Sequence, residues 1–488
     1  MKRFISLSLL LALMLSQISC GSGSTQGNDT SSADTTTQPV DTTPAEISDD
    51  LPDVKFGGRT FTTLTYGNMK SGYIADEANG DVINDAVYKR NQTVMERFDV
   101  KLETIYEEAY DDTTKRITNT VLAGDDDFQL IAHHIVSLGT LVLDDLMMNW
   151  YDVPHIDFSK PWWSDSTVED LTYDGTAIIA VGDYSLSSLS ATWAYFYDKQ
   201  AAEDYHFEDL YDVVYDGKWT MDYVNDLVKD IYVDLNGNGN RDEFDFYGYT
   251  TTVRSDVNAA LWASGGKVFR KDNEGKLKLD YYNDKNVSIL EKLYQLCYEN
   301  DGVCIKRSQY PSNKAGWHAA YSFSDNLTAM IPGTLEMTVE NFRENKHEYG
   351  ILPFPKYDEE QEEYYTMTDG SFAALAIPKT VTDTEFVGVI TEALNAESNK
   401  IVFPAYYEVA LKVKYAHDDE SVKMLDMIVD GRIFDFGYVY DGWKGMSFYY
   451  QHILAKQSKD LASHYAQNGP SAEEYYNEVI EYFEGLTE

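Results

Sequence analysis

The sequence predicts an α/β fold, and three observations predict it. Residues 61–66 (FTTLTY) alternate as a strand should, and residues 100–105 form a second strand. Between them, Ile83, Val87, Val94 and Phe98 share one face of a helix that begins near Asp81. Strand, helix, strand at this spacing is a βαβ unit, which implies a parallel sheet. A third buried strand, FQLIA at 128–132, ends at His133 and His134. Ligands in open α/β sheets gather beyond the carboxyl ends of strands, so His134 is a candidate ligand contact.

The chain begins with a different kind of segment. Lys2 and Arg3 precede an apolar run at 4–18, with Ser19 before Cys20, which is the pattern of an export signal too short to span a bilayer comfortably. QISC followed by Gly21 resembles a lipoprotein cleavage box, which implies lipidation of Cys20 and a membrane anchor on the extracytoplasmic face. A plain secretory signal is the alternative. Residues 21–54 are Ser, Thr, Asp, Gln, Gly and Pro with hardly a large apolar side chain, so they build no core. A flexible tether of that length reaches on the order of 30 Å. Tether and anchor together point to work at the cell surface.

The whole chain of 488 residues is 43% hydrophobic, enough for buried cores in about two to four domains. Its charge is unusual: 39 basic against 82 acidic residues give a formal net charge of −43. That balance opposes nucleic acid and anionic lipid, and it disfavours anionic ligands unless Arg254 or Arg343 compensates locally. Paired carboxylates identify no glycosidase in so acidic a chain. The sequence has no H-E-x-x-H, no G-x-S-x-G and no P-loop, so no catalytic residue is assigned. Cys297 and Cys304 are either a small disulfide or two buried thiols.

From Thr220, which caps an amphipathic helix carrying Val224, Leu227, Val228 and Ile231, the chain runs into D-x-N-x-N-G-N-x-D-x-x-D. Asp234, Asn236, Asn238, Asn240 (by its carbonyl), Asp242 and Asp245 then occupy calcium-loop positions, with Gly239 at the sharp sixth place. Hard cations take such oxygen cages, so a structural calcium ion is expected. A bare Asn/Gly turn is the competing reading. Further on, Gly265-Gly266 and Asn273-Glu274-Gly275 predict a helix end and a hairpin, residues 385–396 a helix, and Ser471 with Glu474 the capping box of the last helix.

Several of these segments carry a family likeness. INDAVYKRN after the first strand, DFSKPWW at 157–163, YFYDK at 195–199, the DLNGNG loop with its closing FYG, AAYSFSDNLTAMIPGTLEM, DGSFAALAIPK and NKIVFPAYYEVALKVKY resemble, in that order, the extracellular solute-binding proteins of family 1. These are substrate-binding lipoproteins of ABC importers. The resemblance implies a two-lobed, periplasmic-binding-protein-like fold of type II, with hinge crossings near 181–186 and 369–372 and a third return after about Tyr407. It implies a first lobe of 55–182 plus 373–407, and a second lobe of 183–372 plus 408–488 with the C-terminal helices.

The function so implied is that of a monomeric, non-enzymatic receptor. It captures a carbohydrate, by preference a neutral oligosaccharide, and delivers it to a membrane permease. The cleft residues expected on this basis are Tyr66, His134, Asp183, Trp262, Trp317, Asp369 and Tyr406. Where relatives place an aromatic in the loop after the strand at 328–334, this chain has Thr334-Leu335-Glu336. The alternative function is a glycan-binding surface lipoprotein without a transport role.

Overall fold

The computed structural model describes residues 47–305, 310, 312–342, 345, 347–411, 419–443 and 445–486. The export signal, Cys20, the tether up to residue 46, Arg343 and most of the third return (412–418) lie outside the described residues.

Ten strands build two sheets: β1 (Arg59–Tyr66), β2 (Val100–Glu107), β3 (Leu130–His134), β4 (Trp193–Asp198), β5 (Tyr232–Val233), β6 (Phe246–Thr250), β7 (Val303–Cys304), β8 (Thr328–Thr334), β9 (Tyr349–Leu352) and β10 (Ala373–Ala376). The first sheet has the order β10-β3-β1-β2, and the second β9-β4-β8-β6-β5 with β7 also on β6. In the first sheet β1, β2 and β3 are parallel, as the βαβ spacing predicts, and β10 closes the edge antiparallel to β3. Asp81 caps the intervening helix Val82–Phe98 through the amides of Ile83 and Asn84.

Period-two alternation decides which core each strand side joins. On β4, Trp193, Tyr195 and Tyr197 enter one apolar cluster, while Ala194 and Phe196 enter another with Ile331 and Ile351. On β3, Ile131 faces the first of these clusters, while Leu130 and Ala132 face a third that includes Phe386, Val389 and Ile390.

The chain passes between the sheets at 181–192 and again at 367–372, and these two crossings lie side by side. Ala180 bridges Leu375, Thr192 bridges Thr368, and the Asp369 amide donates to the Ala191 carbonyl at 2.8 Å. Ser185 donates through its hydroxyl to the Ala373 carbonyl. Gly182 is required at the first crossing, since a Cβ there would stand 2.2 Å from Asn395 Oδ1 and 2.8 Å from the Trp163 ring. That same Asn395 oxygen accepts the Tyr184 amide at 2.9 Å.

Trp162 and Trp163 are packing residues. Both are buried, and their indole N–H groups donate to the two oxygens of Glu392 at 2.7 and 2.9 Å. Burial pushes the Glu392 carboxyl up to about 7.

Two details differ from the sequence reading. The last helix, Leu461–Gly485, starts ten residues before Ser471, capped by Asp460 on the Ser463 amide, and it runs through Pro470. The apolar face of Leu461, Ala472, Tyr476, Val479 and Phe483 holds it continuous across the hydrogen bond that proline removes. Cys297 and Cys304 are both buried and are not joined in a disulfide, so that alternative falls away.

Replacing Glu392 by Ala leaves two buried indole donors without their acceptor. The expected loss is about 2 kcal/mol or more, read as a lower urea midpoint, with Glu392→Gln milder because it keeps an acceptor. An unchanged midpoint for Glu392→Ala would show that the indole bonds contribute nothing.

Candidate functional site

Parallel pairing of β1, β2 and β3 brings their carboxyl ends to one edge of the first sheet. Tyr66 ends β1, His134 ends β3, and Tyr110 opens the helix Tyr110–Ala123 that follows β2. The second crossing arrives at the same edge, because Ala373 pairs with His134 and the Ile135 amide donates to the Phe372 carbonyl at 3.0 Å. Tyr66 donates through its hydroxyl to the Ser371 carbonyl.

A row of rings stands on this edge. Tyr110 stacks on His134 with centroids 5.1 Å apart, His134 meets Trp443 at 5.8 Å, and Trp443 stacks on Phe448 at 5.8 Å with 17° between planes. Tyr438 packs behind Phe448 at 5.7 Å, and Trp262 behind Tyr438 at 5.0 Å. Two rings of the row are substantially open: Tyr110 is 42% and Trp443 50% exposed.

The backbone under Trp443 is strained to present it. Trp443 has φ 57°, a left-handed conformation that bulky residues rarely adopt, between Gly442 and Gly445, which are also left-handed. Asp441 holds the turn: its carboxylate accepts from the amides of Gly445 (2.9 Å) and Ser447 (3.2 Å) and from the Tyr476 hydroxyl (2.9 Å). Gly370 fits close against the row, since its amide donates to the Tyr438 oxygen at 2.7 Å and a Cβ there would stand 2.4 Å from that oxygen.

Two carboxylates stand beside the rings. Asp369 lies on the second crossing, where one oxygen accepts from the Ser371 amide at 3.0 Å. Glu336 follows β8, accepts from the Thr334 hydroxyl at 3.1 Å, and is pushed up to about 7 by burial and by the charges of Glu340 and Asp369. Register explains their proximity. Thr334 pairs with Trp193, the Leu335 amide donates to the Thr192 carbonyl, and Thr192 bridges Thr368, so both carboxylates flank one segment. Burial lowers His134 to about 4, so its imidazole is neutral at pH 7, and its Nδ1 accepts from the Ser137 amide.

Of the seven residues expected at the cleft, Tyr66, His134 and Asp369 meet at this edge. Trp262 is fully buried behind Tyr438 and presents no ring face to solvent. Asp183 is buried at the first crossing, accepts from Asn399 at 2.8 Å, and is pushed up to about 7 by burial. Tyr406 is buried in the cluster of Val402 and Phe403, and burial, with the nearby Glu336 charge second, raises its phenol. Trp317 is half-buried on the same cluster and belongs to no part of the ring row. Arg254 is exposed at the start of the helix Ser255–Ala263.

The sequence reading missed Tyr110, Glu336, Trp443 and Phe448. The G-W-K-G run was the available signal for Trp443, because glycines on both sides of a tryptophan indicate a turn that displays the ring.

The D-x-N-x-N-G loop is a hairpin connection between β5 and β6. Asp234 accepts from the amides of Gly237 (2.7 Å) and Gly239 (2.8 Å), and Asp245 accepts from Leu235 (3.1 Å), from Asp242 (3.1 Å) and from the Tyr232 hydroxyl (2.8 Å). Asn236 and Asn238 donate their side-chain amides to Asp242 at 3.1 and 2.7 Å. The donor set is all oxygen, as a hard cation requires, once those two amides turn. Among the described residues no group of three His, Cys, Asp or Glu side chains is placed to hold a metal ion.

No protein-family model and no curated protein sequence matches this chain. Solved structures do match. The ABC substrate-binding protein of Listeria monocytogenes in complex with cycloalternan aligns at a TM-score of 0.52 and 12% identity, over 88% of this chain and 99% of that one. The GacH receptor of Streptomyces glaucescens, solved unliganded and with acarbose, aligns at 0.52 and 12% identity, over 87% and 98%. UspC of M. tuberculosis aligns at 0.54 and 14% identity, over 85% and 100%. The fold is therefore the two-lobed, periplasmic-binding-protein-like α/β fold.

The raised carboxylates set a pH dependence. Asp183, Glu336 and Glu392 at about 7 and Asp435 at about 6 bind protons in the folded state that the unfolded chain releases nearer 4. Their contribution is fully present below the unfolded value and is lost as pH rises through the folded values. The melting temperature is expected to be higher at about pH 5 than at about pH 8. A melting temperature that rises steadily over that interval would contradict these assignments.

Proposed function

We propose that the chain is the surface-anchored substrate-binding protein of an ABC import system. On this reading it takes a carbohydrate, by preference a neutral oligosaccharide, between its lobes and delivers it to a membrane permease, without chemistry of its own. The carrying observation is the ring row Tyr110, His134, Trp443 and Phe448, open at Tyr110 and Trp443, at the carboxyl edge of the first sheet beside the crossings. Sugar C–H faces lie on such rings, and sugar hydroxyls pair with carboxylates such as Asp369 and Glu336. The likeness to the cycloalternan-bound and acarbose-bound proteins supports a carbohydrate ligand. Lipidation at Cys20 supplies the anchor, and the lobes divide near residues 182 and 372, where the sheets exchange the chain.

We propose also that the loop from Asp234 to Asp245 holds a structural calcium ion through Asp234, Asn236, Asn238, the Asn240 carbonyl, Asp242 and Asp245. The ion would offset the mutual repulsion of three carboxylates in one short loop and tie β5 to β6.

Glycans screened by thermal shift should include one that stabilises the protein by about 2.7 kcal/mol at about 100 times its dissociation constant. Trp443→Ala and Tyr110→Ala should each remove most of that shift while leaving the unliganded melting temperature near its starting value, since both rings are open. A full shift in both variants would place the ligand elsewhere.

For the loop, calcium should raise the melting temperature, chelation should reverse it, and Asp234→Ala should abolish the response. Melting that is indifferent to calcium and chelator retires the ion.

A further inference from the structure

Two phenols bracket the second crossing where it meets the ring row. Tyr66, buried at the end of β1, donates through its hydroxyl to the Ser371 carbonyl, and its ring lies against His134 at 6.5 Å. Tyr438, buried on the helix Phe436–Val439, accepts the Gly370 amide at 2.7 Å, and its ring backs Phe448 at 5.7 Å. One phenol therefore joins the crossing to the His134 end of the row and the other to the Phe448 end, on adjacent residues of the chain. The fit at Gly370 is close on two sides. A Cβ there would stand 2.4 Å from the Tyr438 oxygen and 2.8 Å from Cγ2 of Val136, on the helix that follows His134. That helix also meets the Tyr438 helix directly, since a Cβ at Gly139 would stand 1.9 Å from the Val439 carbonyl oxygen.

Resting on the carbohydrate reading above, we propose that Tyr66 and Tyr438 are positioning residues, which fix the spacing between the ring row and the Asp369 carboxylate. Asp369 directly precedes Gly370, so whatever holds the 370–371 peptide holds that carboxylate. A sugar that lays one face on Trp443 and pairs a hydroxyl with Asp369 reads that distance. Both phenols are themselves held by neighbouring rings: Trp262 stands 5.0 Å behind Tyr438, and His133 lies 5.7 Å from Tyr66. Aromatic packing thus sets where each oxygen lies, and the crossing follows the oxygens. Removing one oxygen keeps the ring in place but takes a partner from the backbone of the crossing. The carboxylate can then drift relative to the rings, and a site loosened by about 1 Å loses much of its grip.

The test uses the full chain with Tyr66→Phe, Tyr438→Phe and, as a control for stability alone, Thr220→Ala, which removes the cap of the helix Met221–Val228. Titration calorimetry with maltotriose, cellotriose and cycloalternan reads affinity, and melting curves check folding. Each phenylalanine variant is expected to weaken the tightest-binding of the three sugars at least about fivefold, with Thr220→Ala unchanged. In an Asp369→Ala background the same two substitutions should cost less than about twofold, because the phenols then have no carboxylate to place. Hydrogen exchange of the sugar-free protein supplies a readout independent of the ligand. Exchange at the Gly370 amide should quicken in Tyr438→Phe while the peptide carrying Phe448 keeps its protection, since the rings still stand. Unchanged exchange at Gly370, or exchange that quickens equally at Phe448, overturns the inference. So does an affinity loss that Thr220→Ala shares or that persists in full without the Asp369 carboxylate, and these results leave the carbohydrate reading standing. Silence of all three sugars in the unsubstituted chain counts against the carbohydrate reading, and exchange alone then decides the inference.

Discussion

The structure depends on one constraint: the two chain crossings must run together. Ala180 against Leu375, Thr192 against Thr368 and the Asp369 amide on the Ala191 carbonyl tie the crossings into a short antiparallel pair. Asn395 and Trp163 leave no room for a side chain at Gly182 on the first crossing, and the pair places Asp369 and Ser371 at the carboxyl edge of the first sheet. Behind it, Arg90 is fully buried, donates to the Gly72 carbonyl and to Ser398, and lies 4.7 Å from the Tyr184 ring. A guanidinium held by neutral acceptors and a ring face stays charged while gripping the crossing from the first-sheet side.

The ring row depends on that pair and on a second device, the Asp441 turn. A tryptophan with left-handed φ is held by a buried carboxylate with three donors, so the strain is set in the folded protein before any ligand arrives. Preorganised rings cost little further conformational entropy on binding, which is how a modest contact area yields useful affinity. Glu336 and Asp369 follow the same logic in charge. Their proximity is fixed by the register of β8, β4 and the crossing, and the Asp369 charge adds to the burial that pushes up the Glu336 carboxyl.

Local elements were largely legible in the sequence. The alternation of residues 61–66, the Asp81 cap and the helix Val82–Phe98 follow from period and capping alone. The Gly265-Gly266 helix end, the hairpin of Phe269–Lys271 with Leu277–Leu279, and the helix Thr384–Glu397 did too. The last helix was misjudged because a capping box after a proline is a strong local signal, and only the tertiary face of Tyr476, Val479 and Phe483 shows why the helix ignores it. The site was legible in part. Tyr66, His134 and Asp369 could be found because strand ends and crossings are visible in sequence. Tyr110, Trp443 and Phe448 could not, because the row joins residues more than 300 positions apart and no local pattern reports that meeting. Trp262 has the composition of a platform and the position of a support, a distinction that only burial makes.

The proposed receptor role requires the lobes to close on a ligand about the paired crossings. Small-angle scattering of the full chain, with and without the glycan that gives the largest thermal shift, tests it most directly. The account predicts a smaller radius of gyration at saturation, and a smaller change when a disulfide engineered between the crossings restricts the hinge. A ligand that binds fully while leaving the scattering curve unchanged would contradict it.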